Sequence, residues 1–183
     1  MDAEPFPIRD IPVHGPLFEG AMAVYGEAFA QPPYSDFDRG EEIRLRLRDT
    51  HCRRKGFRLL VATAHPERVV GMAYGYHGER GQWWHDTVVR RVQPGIASDW
   101  FGDSYELVEL AVHPQYQCRG IGTRLIAELL RNRPERTCVL STRTDSQAHE
   151  LYSRLGFELI IEMTFTAGGW PFYVMGKRLQ PDH

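Results

Sequence analysis

The stretch from Tyr105 to Arg131 limits what this chain can fold into more than any other part of it. Tyr105 to Val112 is an apolar segment that reads as a strand. Gln117-Cys118-Arg119-Gly120-Ile121-Gly122 follows as a turn with two glycines. Ile121 to Arg131 then reads as a helix, with Ile121, Leu125, Leu129 and Leu130 on one side. Strand, glycine turn and helix in this order can hold a phosphate. Glycine lets backbone N–H groups approach an anion where a Cβ would interfere. The helix start adds unpaired donors and the positive end of the macrodipole, and Arg119 adds a formal charge. The turn is not a Walker loop, because no Gly-Lys-Ser/Thr follows, and it lacks the GxGxxG spacing of a Rossmann fingerprint. Taken alone, it suits a plain tight turn as well as an anion site.

A second segment tilts that balance. Thr144 to Leu155 reads as a helix, with Thr144 and Gln147 at capping-box spacing. Ala148, Leu151, Tyr152 and Leu155 share one face. Gly156 stands where a helix end favours a left-handed residue. Phe157, Leu159, Ile161, Met163 and Phe165 then alternate with polar residues, the pattern of a half-buried strand.

Glu109-Leu110-Ala111-Val112-His113-Pro114, Gln117-x-x-Gly120-x-Gly122 and Ala148-x-x-Leu151-Tyr152-x-x-Leu155-Gly156-Phe157 together resemble the GNAT superfamily of N-acetyltransferases. The first glycine element resembles the family's pyrophosphate loop, and Leu-Tyr-x-x-Leu-Gly-Phe resembles its second signature. The resemblance is specific from Tyr105 to Phe165 and topological elsewhere. It implies an α/β fold with a mixed, largely antiparallel sheet and helices on both faces. It implies acetyl-CoA as cosubstrate, with the pantetheine arm between two splayed strands. Backbone groups of Leu110, Ala111 and Val112 would flank the acyl arm, and the amides from Gln117 through Cys118, Arg119, Gly120, Ile121 and Gly122 to Thr123 would face the pyrophosphate. Asp145 and Ala148 fall in the cofactor-contacting stretch of the second signature. Asp145 is a departure, since the family often has Asn there; it adds a negative charge or caps the helix.

Direct acetyl transfer needs a neutral amine, a donor for the oxyanion and a proton for the leaving thiolate. By the resemblance, Tyr152 is the acid; an ordinary tyrosine, with a pKa of about 10, stays protonated at neutral pH. Glu106 and Glu109 are the candidate bases. In a regular strand they point to opposite faces, so one at most faces a given cleft unless a bulge re-aims it. Glu106 matches the approximate position of the acid in the histone-acetyltransferase branch, while Glu109 is closer to the loop. Tyr34, Trp83, Trp84 and Trp170 fall in or beside segments that flank the acceptor in this family. His85 reads as a surface histidine, His113 as part of the turn and Cys118 as a bystander in the anion site.

The 183 residues suffice for one domain, residues 1–183, with a proline-rich start over 1–15 that reads as irregular, with at most a short edge strand near Ile8. A formal charge of −2 gives no support for nucleic-acid binding. Seven basic residues from Arg44 to Arg58 read as a solvated helix face. Cys52, Cys118 and Cys138 are scattered and imply neither a disulfide framework nor a metal site. No leader and no membrane-spanning run are evident, so the expectation is a cytoplasmic protein whose partner is a small-molecule or peptide amine. A homodimer stays open.

Pro16 can open a helix carrying Leu17, Phe18, Ala21, Met22, Tyr25, Ala28 and Phe29, which Gln31-Pro32-Pro33 ends. Asp36 to Lys55 alternates in part like a strand, and the resemblance favours a helix. Phe57–Thr63 and Val69–Tyr76 read as antiparallel strands around His65-Pro66-Glu67-Arg68. Gly78 to Asp103, rich in tryptophan, reads as an ordered connection with one or two helical turns. Two rival readings remain: a non-catalytic acyl-CoA-binding or sensor domain of the same fold, and a nucleotide-binding module that uses only the glycine turn.

Overall fold

The computed structural model describes residues 6–65 and 67–179. Pro66, in the turn expected after His65, lies outside them, as do the first five residues of the proline-rich start. Seven strands form a mixed, mostly antiparallel sheet in the order β1-β2-β3-β4-β5-β7-β6, flanked by helices. They are β1 (Ile8–Asp10), β2 (Arg58–His65), β3 (Arg68–Gly78), β4 (Ser104–Val112), β5 (Thr137–Arg143), β6 (Glu158–Thr164) and β7 (Pro171–Arg178). The helices are α1 (Pro16–Phe29), α2 (Arg39–Asp49), α3 (Trp83–Val89), α4 (Pro94–Phe101), α5 (Ile121–Leu130) and α6 (Ala148–Arg154). The chain divides into two compact units: residues 1–76 with 108–131, and residues 77–107 with 132–183. Strand β4 contributes its second half to the first unit and its first half to the second.

In the first unit, α1 starts with Pro16 in its first turn and buries Phe18, Ala21, Met22, Val24, Tyr25 and Phe29. The segment that alternated like a strand is helical. Helix α2 buries Ile43 and Leu47, four residues apart, and a 3-10 turn over His51–Arg53 follows it. The arginine-rich face is ion-paired: Arg44 and Arg48 both reach Glu19, and Arg46 faces Glu42. Such pairs, half-exposed, are worth little each; their role here is a solvated surface. Helix α5 comes close to β3 because Gly71 has no side chain. A Cβ there would stand 2.9 Å from Ile121 and 3.1 Å from Leu125.

In the second unit, β4 pairs with β5 in parallel over Ser104–Glu106, and β7 pairs antiparallel with both β5 and β6. The long connection holds two helices, α3 and α4, where one or two turns were expected. Val88, Phe101, Val139, Met163 and Val174 form its core. The expected alternation in β6 fails at one point. A register shift between Leu159 and Ile161 leaves Leu159 exposed, while Ile160 packs against the core. An extra residue in one strand reverses the faces beyond it.

Candidate active site

Each unit carries part of the predicted chemistry. In the first, β4 ends at Val112 and a 3-10 turn, Pro114–Tyr116, leads into the glycine segment. His113 anchors this turn, as its position before Pro114 implied. Its Nδ1 accepts from the Gln115 N–H at 3.2 Å and its Nε2 faces Glu27 at 2.8 Å. Gln117 braces the loop by donating from Nε2 to the Val112 carbonyl at 3.1 Å. Cys118, exposed, and Gly120 both have left-handed backbones, with φ of 60° and 77°. Gly120 is the N-cap of α5, and no side chain caps that helix. The first intrahelical bond runs from Arg124 N–H to Gly120 carbonyl. The amides of Ile121, Gly122 and Thr123 are therefore first-turn donors with no intrahelical acceptor. The guanidinium groups of Arg119 and Arg68 lie over the Tyr116 ring, at 5.1 and 5.4 Å. Unpaired first-turn amides of this kind are able to receive an anion. Leu110 and Val112 are half-buried on β4 and Ala111 is buried.

Glu109 does not stand alone. Arg39, from the start of α2, approaches its carboxylate at 3.6 Å, and the Tyr25 phenol on α1 hydrogen-bonds to it. Arg39 Nε donates to the Tyr25 hydroxyl at 2.7 Å. The same guanidinium lies 4.3 Å from the Phe29 ring centre and 5.6 Å from that of Tyr34. Burial lifts the Glu109 carboxyl above its ordinary range, against the pull of Arg39, the Tyr25 hydrogen bond and Arg46. Burial and the neighbouring carboxylate also raise the Tyr25 phenol, so it stays protonated and serves as a donor. Tyr25 and Arg39 were not singled out in the sequence. The available signal was a tyrosine on the inward face of α1, since a buried phenol needs a partner.

In the second unit, Tyr152 is buried on α6, and its helix ends in a Schellman motif. The Phe157 N–H donates to the Tyr152 carbonyl at 3.0 Å and the Gly156 N–H to the Ser153 carbonyl at 3.1 Å, with Gly156 at φ 86°. The accompanying apolar contact is Tyr152 against Phe157, edge to face at 5.7 Å. The Leu-Tyr-x-x-Leu-Gly-Phe signature is thus a helix stop that fixes the tyrosine ring. The start of this helix differs from expectation. It begins at Ala148, not Thr144, and no capping box forms. Thr144 instead donates its N–H to the Pro171 carbonyl, and the Ser146 hydroxyl accepts from Ala148 N–H at 3.3 Å. Asp145 does not cap a helix. Both its oxygens bind Arg143, at 2.9 and 2.6 Å, which holds its carboxyl below the usual range. Glu106 is 4% exposed, opposite Val139 in the parallel register.

The aromatic candidates separate. Tyr34 belongs to the first unit, tilted against the Phe29 ring at 4.6 Å. Trp84 is half-buried in the second: its Nε1 donates to the Ser141 hydroxyl at 2.9 Å and its ring packs beside Phe101. Trp83 and Trp170 are 63% and 60% exposed. Trp83 lies against Phe165, which meets Phe172, and Trp170 covers the Arg143 guanidinium at 4.0 Å. His85 is half-buried between Asp86 and the Phe101 carbonyl, a structural position. Among the described residues no three His, Cys, Asp or Glu side chains converge as a metal site, and no helix is long and apolar enough to cross a membrane.

A mixed sheet, an uncapped helix start after a glycine turn and a pinned tyrosine two elements later are the features that the resemblance to the GNAT superfamily implied. Comparison with known proteins agrees. The model of the acetyltransferase (GNAT) domain matches residues 55–159. A GCN5-like protein acetyltransferase of Mycobacterium tuberculosis is 35% identical over an alignment covering 87% of this chain and 90% of that protein. Among solved structures, Ard1 of Thermoplasma volcanium superposes with a TM-score of 0.65 at 18% identity, covering 97% of this chain and 99% of its own. The yncA protein of Salmonella typhimurium, solved with its cofactor acetyl-CoA, gives 0.57 at 19% identity, with 98% and 96% covered. The chain belongs to the GNAT acetyltransferases.

Proposed function

We propose that this protein transfers the acetyl group of acetyl-CoA to a primary amine of a peptide, protein or small molecule by direct attack, with Tyr152 as acid and Glu109 as base. The observation that carries the reading is Tyr152, fixed by the helix stop that its own signature encodes. Glu109 is preferred over Glu106 because its side chain keeps 13% exposure and has donors arranged around it, whereas Glu106 is almost fully enclosed. In the step itself, Glu109 takes one proton from the acceptor ammonium. The neutral nitrogen forms a bond to the thioester carbonyl carbon. The C–S bond then breaks, Tyr152 gives its proton to the departing sulfur, and the nitrogen's second proton restores the phenol. The products are an amide, the CoA thiol and one proton, which Glu109 releases to solvent.

The relative's name, a protein acetyltransferase, supports a peptide or protein amine as acceptor. Exposed Trp83 and Trp170 support an acceptor with an apolar or aromatic neighbour to its amine. The three free cysteines are in keeping with work in a reducing compartment such as the cytoplasm.

The test is thiol release from acetyl-CoA over a panel of amines and peptides, with the acetylated product weighed by mass spectrometry. Tyr152→Phe keeps the ring packing and removes the hydroxyl. Its turnover is expected to fall roughly 10²-fold, with acetyl-CoA affinity unchanged. Binding of acetyl-CoA without thiol release for any acceptor would establish instead the non-catalytic acyl-CoA-binding domain. Wild-type turnover in Tyr152→Phe would reduce Tyr152 to a packing residue.

A further inference from the structure

The Glu109 carboxylate receives two converging elements. Helix α1 supplies the Tyr25 hydroxyl and α2 supplies Arg39, with Arg46 a further positive charge on α2. These bonds form a directional chain. Arg39 Nε donates to the Tyr25 oxygen, and the phenol hydrogen is thereby left to the carboxylate. Arg39 is held in turn by three aromatic rings, with centres 4.3 Å (Phe29), 5.6 Å (Tyr34) and 5.9 Å (Tyr25) from its guanidinium carbon. A guanidinium wedged among rings has few rotamers left to it, so its charge sits at one distance from Glu109. Arg44 and Arg48 on the same helix differ: each pairs directly with the exposed Glu19 and, among the described residues, lies beside one ring only, that of Phe18, with no hydrogen-bonded relay.

We propose that Arg39 is a positioning residue of the transfer reaction: through Tyr25 and directly, it holds the Glu109 carboxylate oriented and ready to take the acceptor's proton. This rests on Glu109 being the base. The chemical logic is a compromise. Enclosure makes a carboxylate more basic, which helps proton removal, yet too much basicity would leave it protonated at neutral pH and useless. Arg39 and the Tyr25 donor act against the enclosure and draw the carboxyl back toward its ordinary range. Tyr25, Arg39, Arg46 and, on the far side of Arg39, Tyr34 are the titratable or charged groups that face this pair.

The experiment is the pH dependence of kcat/KM for one reactive amine in wild type, Glu109→Gln, Arg39→Gln, Arg39→Lys and Tyr25→Phe, with KM for acetyl-CoA and the melting temperature measured alongside. Loss of a positive charge beside a carboxylate raises its pKa. The acidic limb should therefore move to higher pH by about one unit in Arg39→Gln, so that the rate at a pH on that limb falls about tenfold. Arg39→Lys, which keeps the charge without the planar fork, should move it less, and Tyr25→Phe should move it in the same direction. Glu109→Gln should remove the limb altogether. KM for acetyl-CoA should hold in all four. A limb that vanishes in Glu109→Gln but stays in place in Arg39→Gln and Tyr25→Phe overturns the positioning role and leaves the base intact. A limb that survives Glu109→Gln overturns the base, and with it this role. If Arg39→Gln does not fold, Arg39→Lys and Tyr25→Phe decide the matter by the same criterion.

Discussion

Helix α5 is defined functionally by its beginning, helix α6 by its end, and in each case one left-handed glycine makes the difference. Gly120, at φ 77°, turns the chain into α5 and leaves the first-turn amides without side-chain caps. Gly156, at φ 86°, turns the chain out of α6 and brings two N–H groups back onto the last carbonyls. The same backbone conformation thus leaves donors available at one helix and satisfies acceptors at the other. Neither position is crowded. A Cβ at Gly120 would meet nothing of the protein within 4 Å, and one at Gly156 would touch only the Lys177 side chain at 4.0 Å. The difference between them lies in what each glycine leaves: unpaired first-turn amides in the first, a fixed tyrosine in the second.

The largest expected effect breaks the first half of that comparison. Gly120→Glu places a carboxylate at the mouth of the uncapped helix start, where a pyrophosphate should bind. A native-state ligand raises the melting temperature. We expect acetyl-CoA to raise that of the wild type and to leave that of Gly120→Glu unmoved, while circular dichroism stays native. An undiminished shift would remove this loop from the cofactor site.

A smaller effect sharpens the comparison. Gly120→Ala and Gly156→Ala both force an alanine into the left-handed region, at about 1–2 kcal/mol each. In a chain of this size each kilocalorie lowers the melting temperature by about 2–4 °C. The two variants should therefore lose similar stability, since neither Cβ meets an obstacle. Turnover should separate them. Gly156→Ala loosens the stop that aims Tyr152 and should lower kcat without weakening acetyl-CoA binding. Equal kcat values in the two variants would show that the Schellman bonds do not position the tyrosine.

The two halves of this comparison were not equally legible in the sequence. Gly120 and Gly156 could be read because turn chemistry is local: a glycine after a periodic apolar run has few meanings. The β4 to α5 passage and the Tyr152 to Phe157 stop both appear where the pattern put them. The start of α6 did not. Thr144 and Gln147 have capping-box spacing, but Thr144 is drawn into a backbone bond with Pro171, far along the chain, and Asp145 is taken by Arg143. Competition from distant residues cannot be seen in a local window. The same holds for Leu159, turned outward by a register shift, and for Arg39, whose role depends on Glu109 seventy positions later.

The strand that leads toward α6 ends under an exposed aromatic ring, and the smallest expected effect probes it. Trp170 lies over Arg143, whose guanidinium donates to both oxygens of Asp145. Its ring is 60% exposed, so its removal should change stability by little, within about 1 kcal/mol. Trp84 is the contrasting case. Its indole N–H is bonded to Ser141 and its half-buried ring packs against the core of the second unit, so Trp84→Ala should cost about 3 kcal/mol, near the lower end for a large aromatic. An exposed ring fixed over a cation has little conformational entropy left to lose when an acceptor's apolar part covers it. We therefore expect Trp170→Ala to raise KM several-fold for acceptors that carry an aromatic or apolar group beside the amine, and to leave acetyl-CoA affinity untouched. Highly charged polycations should be indifferent to the change. Steady-state kinetics on a matched pair, an aryl-alkyl amine and a polyamine, reads the difference. If both acceptors respond alike, or neither does, Trp170 is only a cover for Arg143, and the start of α6 is ordinary surface.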